Sequence, residues 1–314
     1  MASREYEGLM TAFKDPLVAP GDSSATARDK LNAVHGHPVA DDVRVEWTEF
    51  GGVRCAWIDT PESDAARSDR ARAASGEDRI LLLCHGGAYI AAGGDGYLFY
   101  AAVYSRACRA RVLLVDYRLA PEHVCPAASD DCAAAYRGLL AQGVAPEGVG
   151  FIGDSCGGGL VVTSLVALRA AGSLMPAFGV TLGGWFDLEA SGESAREPLG
   201  PDPFADAAFV RARGRDYVGP DGELSNPAAS ALHADLQGLP PLLLQVGQID
   251  LTRDDALRLA AVAARVGVEV TLEVQPEMVH GYQGLAHGGI PEAVASVVRV
   301  ATFADAHWPA AEES

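Results

Sequence analysis

Residues 148–160, GVGFIGDSCGGGL, open as an apolar run and end in small residues, with Ser155 and Cys156 at the corner between them. Gly153-Asp154-Ser155-Cys156-Gly157 fits G-x-S-x-G, directly after a strand pattern and directly before a helix pattern. A corner this tight has no room for a Cβ two residues either side of its centre, and it leaves the central hydroxyl exposed. The frame therefore selects Ser155, not Cys156, as the nucleophile. The plainer alternative is a glycine-rich turn that only packs or cradles a phosphate, but the corner itself, from Gly153 onward, holds neither G-x-G-x-x-G nor G-K-[ST].

The same rhythm extends in both directions. From residue 80 onward the apolar runs ILLLC, RVLLVDY, VGFIG, FGVTLGG and PPLLLQVG read as strands, and helical stretches fall near 96–109, 127–141, 157–171, 253–266 and 291–305. Continuous apolar strands separated by helices predict an α/β fold with a mostly parallel central sheet covered on both faces. Active sites on such sheets lie at the carboxyl ends of the strands. Upstream, residues 43–60 alternate with period two around Gly51-Gly52, which predicts an antiparallel hairpin. The charged stretch 61–78, PESDAARSDRARAASGED, has no apolar periodicity and reads as a mobile surface loop.

A serine at its ordinary pKa is a poor nucleophile and needs a base, an orienting acid and donors for an oxyanion. LLLCHGGAYI sets His85-Gly86-Gly87-Ala88 at a strand end, where small residues let backbone N–H groups approach a developing charge. The N–H of Cys156, at a helix start, completes a candidate oxyanion hole. On sheets of this kind the acid and then the base follow the serine in chain order. LLLQVGQIDLTRDDA offers Asp250 at a strand tip, whereas Asp254 and Asp255 fall inside the next helix, as caps or solvated groups. After VEVTLEV (268–274), the run QPEMVHGYQGL places His280 in a loop, with His287 as a competitor in a helix or its cap. His35, His37 and His307 read as surface residues of terminal segments, and His233 precedes the acid.

Composition narrows the partners. A formal charge of −18 over 314 residues repels nucleic acid and anionic membranes, and leaves a small molecule as the expected partner. The charged N-terminal stretch has no apolar leader and no run is long enough to span a bilayer, so the expected location is the cytoplasm. Six cysteines without a CxxC pair read as reduced thiols.

HGGAYI, DYRLAPEH, GDSCGGG, LPPLLLQVGQIDLTRDDA and MVHGY, in that order, resemble the signature of the hormone-sensitive-lipase-like esterases, the bacterial carboxylesterase branch of the α/β-hydrolases. The resemblance runs from about residue 40 to the C-terminus. It implies an α/β-hydrolase fold and a serine carboxylic ester hydrolase acting on small or short-acyl esters, with Ser155 as nucleophile, Asp250 as acid and His280 as base. The implied oxyanion donors are the N–H groups of Gly87, Ala88 and Cys156, with Gly86 in support, and no metal or organic cofactor is called for. The resemblance also implies an N-terminal cap segment, 1–40, and a catalytic domain, 41–314, carrying a cap insertion at about 188–226. Tyr89, Trp185 and Phe186 are candidate pocket residues.

Three positions depart from the pattern. Ala88 replaces a third glycine, which is harmless if its φ is negative. Cys156 narrows the pocket floor. Gly183-Gly184 before Trp185 replaces Ser-Pro, which predicts a more flexible approach to the cap. Asp116, Arg118, Glu122 and His123 read as a buried charge network, and His85 as a brace of the oxyanion loop. Two alternatives stay open: a biosynthetic deacetylase or lactone hydrolase dedicated to one natural product, and a non-catalytic small-molecule receptor, against which His280 speaks. The alternating strand VEVTLEV reads as a bare sheet edge and predicts a homodimer.

Overall fold

The computed structural model describes residues 2–11, 16–72, 78–203 and 206–309. Two helices, α1 (Arg4–Met10) and α2 (Ser24–His35), precede a hairpin of β1 (Arg44–Phe50) and β2 (Val53–Asp59). Gly51 and Gly52 both take positive φ, 59° and 80°, which closes the two-residue turn between them. Helix α3 (Pro61–Arg72) follows, then β3 (Ile80–Cys84), α4 (Leu98–Cys108), β4 (Arg111–Val115), α5 (Ala127–Ala141), β5 (Val149–Asp154), α6 (Cys156–Ala170) and β6 (Phe178–Leu182). After α7 (Glu193–Arg196) and α8 (Ala207–Val218) come β7 (Leu242–Gly247), α9 (Arg253–Arg265), β8 (Val270–Gln275) and α10 (Pro291–His307).

The eight strands form one sheet in the order β1-β2-β4-β3-β5-β6-β7-β8. β1 and β2 pair antiparallel with their neighbours, and every later pairing is parallel. Strands β3, β5, β6 and β7 are buried along their whole length, which is why they read as unbroken apolar runs. Helix α4 packs against α10, and α5 against α6, closing the layers around them. The parallel order brings the residues that follow β3, β5, β6, β7 and β8 to one end of the sheet.

Two expectations are corrected here. Residues 61–72 are helical rather than a loop: Thr60 and Ser63 cap each other reciprocally through backbone N–H and hydroxyl groups, and Pro61 opens the first turn. Among its described side chains the helix buries Ser63 and Ala66 alone, and it is held by Arg44–Asp64 and Arg67–Asp64 pairs, so it has no apolar stripe to read. Residues 73–77 of that stretch lie outside the described residues. The supposed buried network is a set of pairs with exposed members: Arg54–Asp116, Arg118–Asp131, and Arg28 of α2 with Glu122, while His123 is exposed. All six cysteines are free. Among the described residues no helix is long and apolar enough to cross a membrane.

Candidate active site

The corner between β5 and α6 explains its glycines. A Cβ on Gly157 would run into the Cys84 carbonyl oxygen and lie 2.6 Å from that of His85, and one on Gly153 would lie 2.5 Å from the Gly157 carbonyl carbon. Ser155 itself sits at φ 53°, ψ −124°, a strained conformation for a residue with a side chain. It is held by its own N–H donating to Leu182 O (2.9 Å) and by Trp185 N–H donating to its carbonyl (3.0 Å).

His280, five residues after β8, brings Nε2 to 2.8 Å from Ser155 Oγ. Its Nδ1 lies 3.0 and 3.1 Å from the two oxygens of Asp250, three residues after β7. Asp250 is fully buried, and its Oδ1 also accepts from the N–H and hydroxyl of Thr252 at 2.8 and 2.9 Å. A carboxylate oxygen facing a ring nitrogen accepts, so Nδ1–H donates to Asp250 and Nε2 is left to accept from the serine hydroxyl. Burial pulls the His280 pKa down, but the facing Asp250, with Asp202 and Asp154 beyond it, outweighs that and raises it to about 9. Gly183, at φ 57°, is a close-approach glycine: a Cβ there would be 3.1 Å from Asp250 Oδ2 and 3.4 Å from His280 Nδ1. Packing against Asp250 and His280, not flexibility, is what this position requires.

The loop after β3 forms the facing wall. Gly87 takes φ 103°, but Ala88 takes φ 55°, so the condition under which the alanine is harmless is not met and it carries strain of about 1 kcal/mol. His85 is fully buried and stacks on Tyr117 at 4.0 Å between ring centroids; its Nδ1 bonds Gly86 O (2.7 Å), and Tyr117 Oη donates to His85 O (2.7 Å). Burial lowers its pKa to about 4, so it stays neutral and braces the loop. The Cys156 thiol is fully buried and accepts from Tyr89 N–H (3.1 Å); burial pushes its pKa up to about 12 despite the helix start. Asp154 is buried too, and its Oδ2 accepts from Tyr97 Oη (2.7 Å). Burial lifts its pKa to about 6.

Gly87, Ala88, Ser155, Trp185 and His280 line one pocket of about 1060 Å³, open mouth included. Tyr89 and Phe186 do not: Tyr89 stacks on Tyr217 at 3.7 Å inside the core, and Phe186 is fully buried. The neighbouring acids have structural partners. Asp255 is buried and accepts from the N–H groups of Phe186 and Asp187 at 3.0 and 2.9 Å, rather than being solvated, and Asp254 accepts from Ser194 N–H (2.9 Å). The walls that sequence reasoning missed come from α2 and α8. Leu31 and His35 belong to α2, Phe209 and Val210 to α8, and His37 follows α2.

His35, expected on the surface, stacks on Tyr97 (4.9 Å), and His37 meets Phe99 and His287 at 4.8 and 4.4 Å. The spacing of Leu31, Val34 and His35, one helical face, was the available signal. His287 lies exposed in a 3-10 turn at the pocket rim rather than near the serine oxygen, and it bonds Gly284 O. The segments that carry these walls are tied to each other and to the loops after β3 and β4. Leu17 N–H donates to Pro203 O (2.8 Å), Ser24 Oγ to Asp216 (2.8 Å), and Arg28 to Ile90 O and Ala120 O.

Residues 81–284 match the family described as alpha/beta hydrolase fold. An acetyl-hydrolase of Streptomyces hygroscopicus is 40% identical over 222 residues, 70% of this chain and 73% of that protein. Among solved structures, an esterase from the bacterial hormone-sensitive lipase family is 36% identical with a TM-score of 0.89, covering 98% of this chain and 100% of the other. EstE5, in a crystal soaked with p-nitrophenyl butyrate, is 34% identical with a TM-score of 0.88 over the same shares.

Proposed function

Because the chain belongs to the α/β hydrolase family, in its hormone-sensitive-lipase-like branch, and is a carboxylesterase, we propose that Ser155, His280 and Asp250 are the nucleophile, base and orienting acid of that activity. The observation that carries this is the unbroken chain from Ser155 Oγ to His280 Nε2 (2.8 Å) and from His280 Nδ1 to Asp250 (3.0 Å). His280 takes the serine proton as Oγ attacks the ester carbonyl and the tetrahedral oxyanion forms; the N–H groups of Gly87, Ala88 and Cys156 hold that oxyanion. Collapse expels the alcohol with the proton from His280, and water repeats the cycle on the acyl-enzyme. Asp250 keeps the tautomer and stabilises the imidazolium.

Residues 1–40 and about 188–226 act as a cap over residues 41–314, which supports small or short-acyl esters as substrates. The name of the Streptomyces relative favours acetyl esters, and with them the second reading of a dedicated deacetylase. Ser155→Ala removes turnover by about 10⁴- to 10⁶-fold while leaving the melting temperature in place; wild-type turnover in the variant overturns the assignment. With p-nitrophenyl esters, kcat/KM peaks between acetyl and hexanoyl, and a steady rise to palmitoyl contradicts the short-acyl reading.

The reading extends to a cytoplasmic homodimer. Six free thiols fit a reducing compartment. β8 is a sheet edge, and Val274 on it and Val294 and Val298 on α10 are exposed. Its ladder to β7 uses odd-numbered residues, Glu269 and Gln275 among them, so even-numbered N–H groups face outward. Light scattering gives a dimer mass that Val274→Pro reduces; a wild-type monomer overturns the dimer.

A further inference from the structure

We propose that Asp202, on the covering segment, is a positioning residue for His280, through which the cap sets the base over Ser155. The proposal rests on the triad reading above. His280 N–H donates to Asp202 Oδ2 at 2.8 Å, across 78 residues of chain. The strap that carries Asp202 is anchored on both sides of this bond. Pro203 O accepts from Leu17 N–H (2.8 Å), which ties the strap to the N-terminal segment. At its other end Gly200 lies against Ile249, the neighbour of Asp250: a Cβ on Gly200 would meet Ile249 Cγ2 at 3.5 Å. Ile249 N–H in turn donates to Met278 O (2.9 Å), so the acid loop and the base loop are already paired where the strap crosses them.

An acceptor for a main-chain N–H could be neutral, and this one is a carboxylate. The charged and titratable groups facing His280 come from separate elements: Asp250 after β7, Asp154 at the end of β5, Asp202 on the strap, and Tyr6 of α1, whose Oη accepts from Val279 N–H (3.2 Å). Tyr6 stays a neutral phenol, since burial pushes its pKa to about 12. Asp202 therefore does two separable things: it fixes the backbone of the base, and it adds negative field that favours the imidazolium formed as Ser155 is deprotonated.

Asp202→Asn keeps an acceptor oxygen and removes the charge, whereas Asp202→Ala removes both. With p-nitrophenyl acetate as probe, the acid limb of kcat/KM in Asp202→Asn moves to lower pH by about half to one unit. Asp202→Ala shows the same shift and, on the plateau, a kcat lowered about tenfold with KM little changed. Limbs that stay at the wild-type pH in both variants overturn the proposal, as does a cap-loosening pattern in which KM alone rises. Should Asp202→Ala fail to fold, the limb of Asp202→Asn decides. Labelling with a fluorophosphonate separates this from failure of the triad: Asp202 variants still label at Ser155, whereas an enzyme whose Ser155→Ala form keeps labelling and turnover has another nucleophile.

Discussion

Gly157→Ala is expected to damage both stability and turnover, through one collision. A Cβ there would stand 2.6 Å from His85 O and 2.8 Å from His85 C, with Cys84 O closer still, against an ordinary contact of 3.4 Å. Relieving the His85 oxygen alone takes 3.4 − 2.6 = 0.8 Å of movement. The obstacles are backbone, so no side-chain rotation absorbs it. The shift must be shared by the end of β3 and the first turn of α6, the two walls that carry the proposed oxyanion donors. Overpacking of this kind costs about 1–3 kcal/mol, and a displacement near 1 Å at a reacting centre costs about 10² in rate. Urea denaturation and p-nitrophenyl acetate turnover measure the two losses. Gly8→Ala is the control: its Cβ position has nothing within 4 Å and lies in helix α1, so the same change should be neutral or stabilise by up to about 1 kcal/mol. A Gly157→Ala protein with the wild-type midpoint and kcat would refute the crowding argument.

Asp250→Asn should lower kcat by about 10⁴, because an amide at that position no longer enforces the tautomer. Asp254→Asn, whose carboxylate bonds the start of α7 and its own Arg253 neighbour, should leave kcat in place and change stability by about 1 kcal/mol; the reverse ranking would move the acid. Since protonated His280 cannot accept the serine proton and its pKa is raised to about 9, kcat/KM should keep climbing on the alkaline side of neutrality. A profile already flat at pH 6 rules that out. Iodoacetamide at pH 8 should leave activity intact, since the Cys156 thiol is buried and held protonated, and loss of activity that Cys156→Ala prevents would show it to be reachable.

The parts that were legible in the sequence are those fixed by local chemistry. β3, β5, β6 and β7 showed as apolar runs because both faces are covered, and the elbow showed because its glycines are demanded by backbone crowding within a few residues. Helix α3 was illegible because ion pairs and a reciprocal cap hold it instead of an apolar face. The pocket walls were illegible for another reason. Tyr89 and Phe186 are next to the right motifs in sequence but point into the core, while His35, His37 and Phe209 arrive from segments brought over by tertiary contacts. Asp202 left no signal, since its partner is a main-chain N–H that no residue type marks.

The braces around the site bear on how its pH dependence is to be read. Of the residues that line the cleft, the non-glycines Ser155 and Ala88 hold positive φ on opposite walls, and such strain persists only where the surroundings over-determine it. On one wall this is done by the backbone bonds of Ser155 to Leu182 and Trp185, and on the other by Tyr117 and a His85 that stays neutral down to about pH 4. Neither brace changes charge between about pH 5 and 9, so the geometry of the proposed donors stays fixed while His280 titrates. Asp154 is different: with a pKa near 6 it ionises inside that interval, and it and His280 each shift the other. Ionisation of Asp154 makes the imidazolium easier to keep, so the acid limb belongs to the pair, with Asp154 losing its proton first. A change at Asp202, which faces His280 through its backbone, should therefore move the upper part of the limb more than the lower.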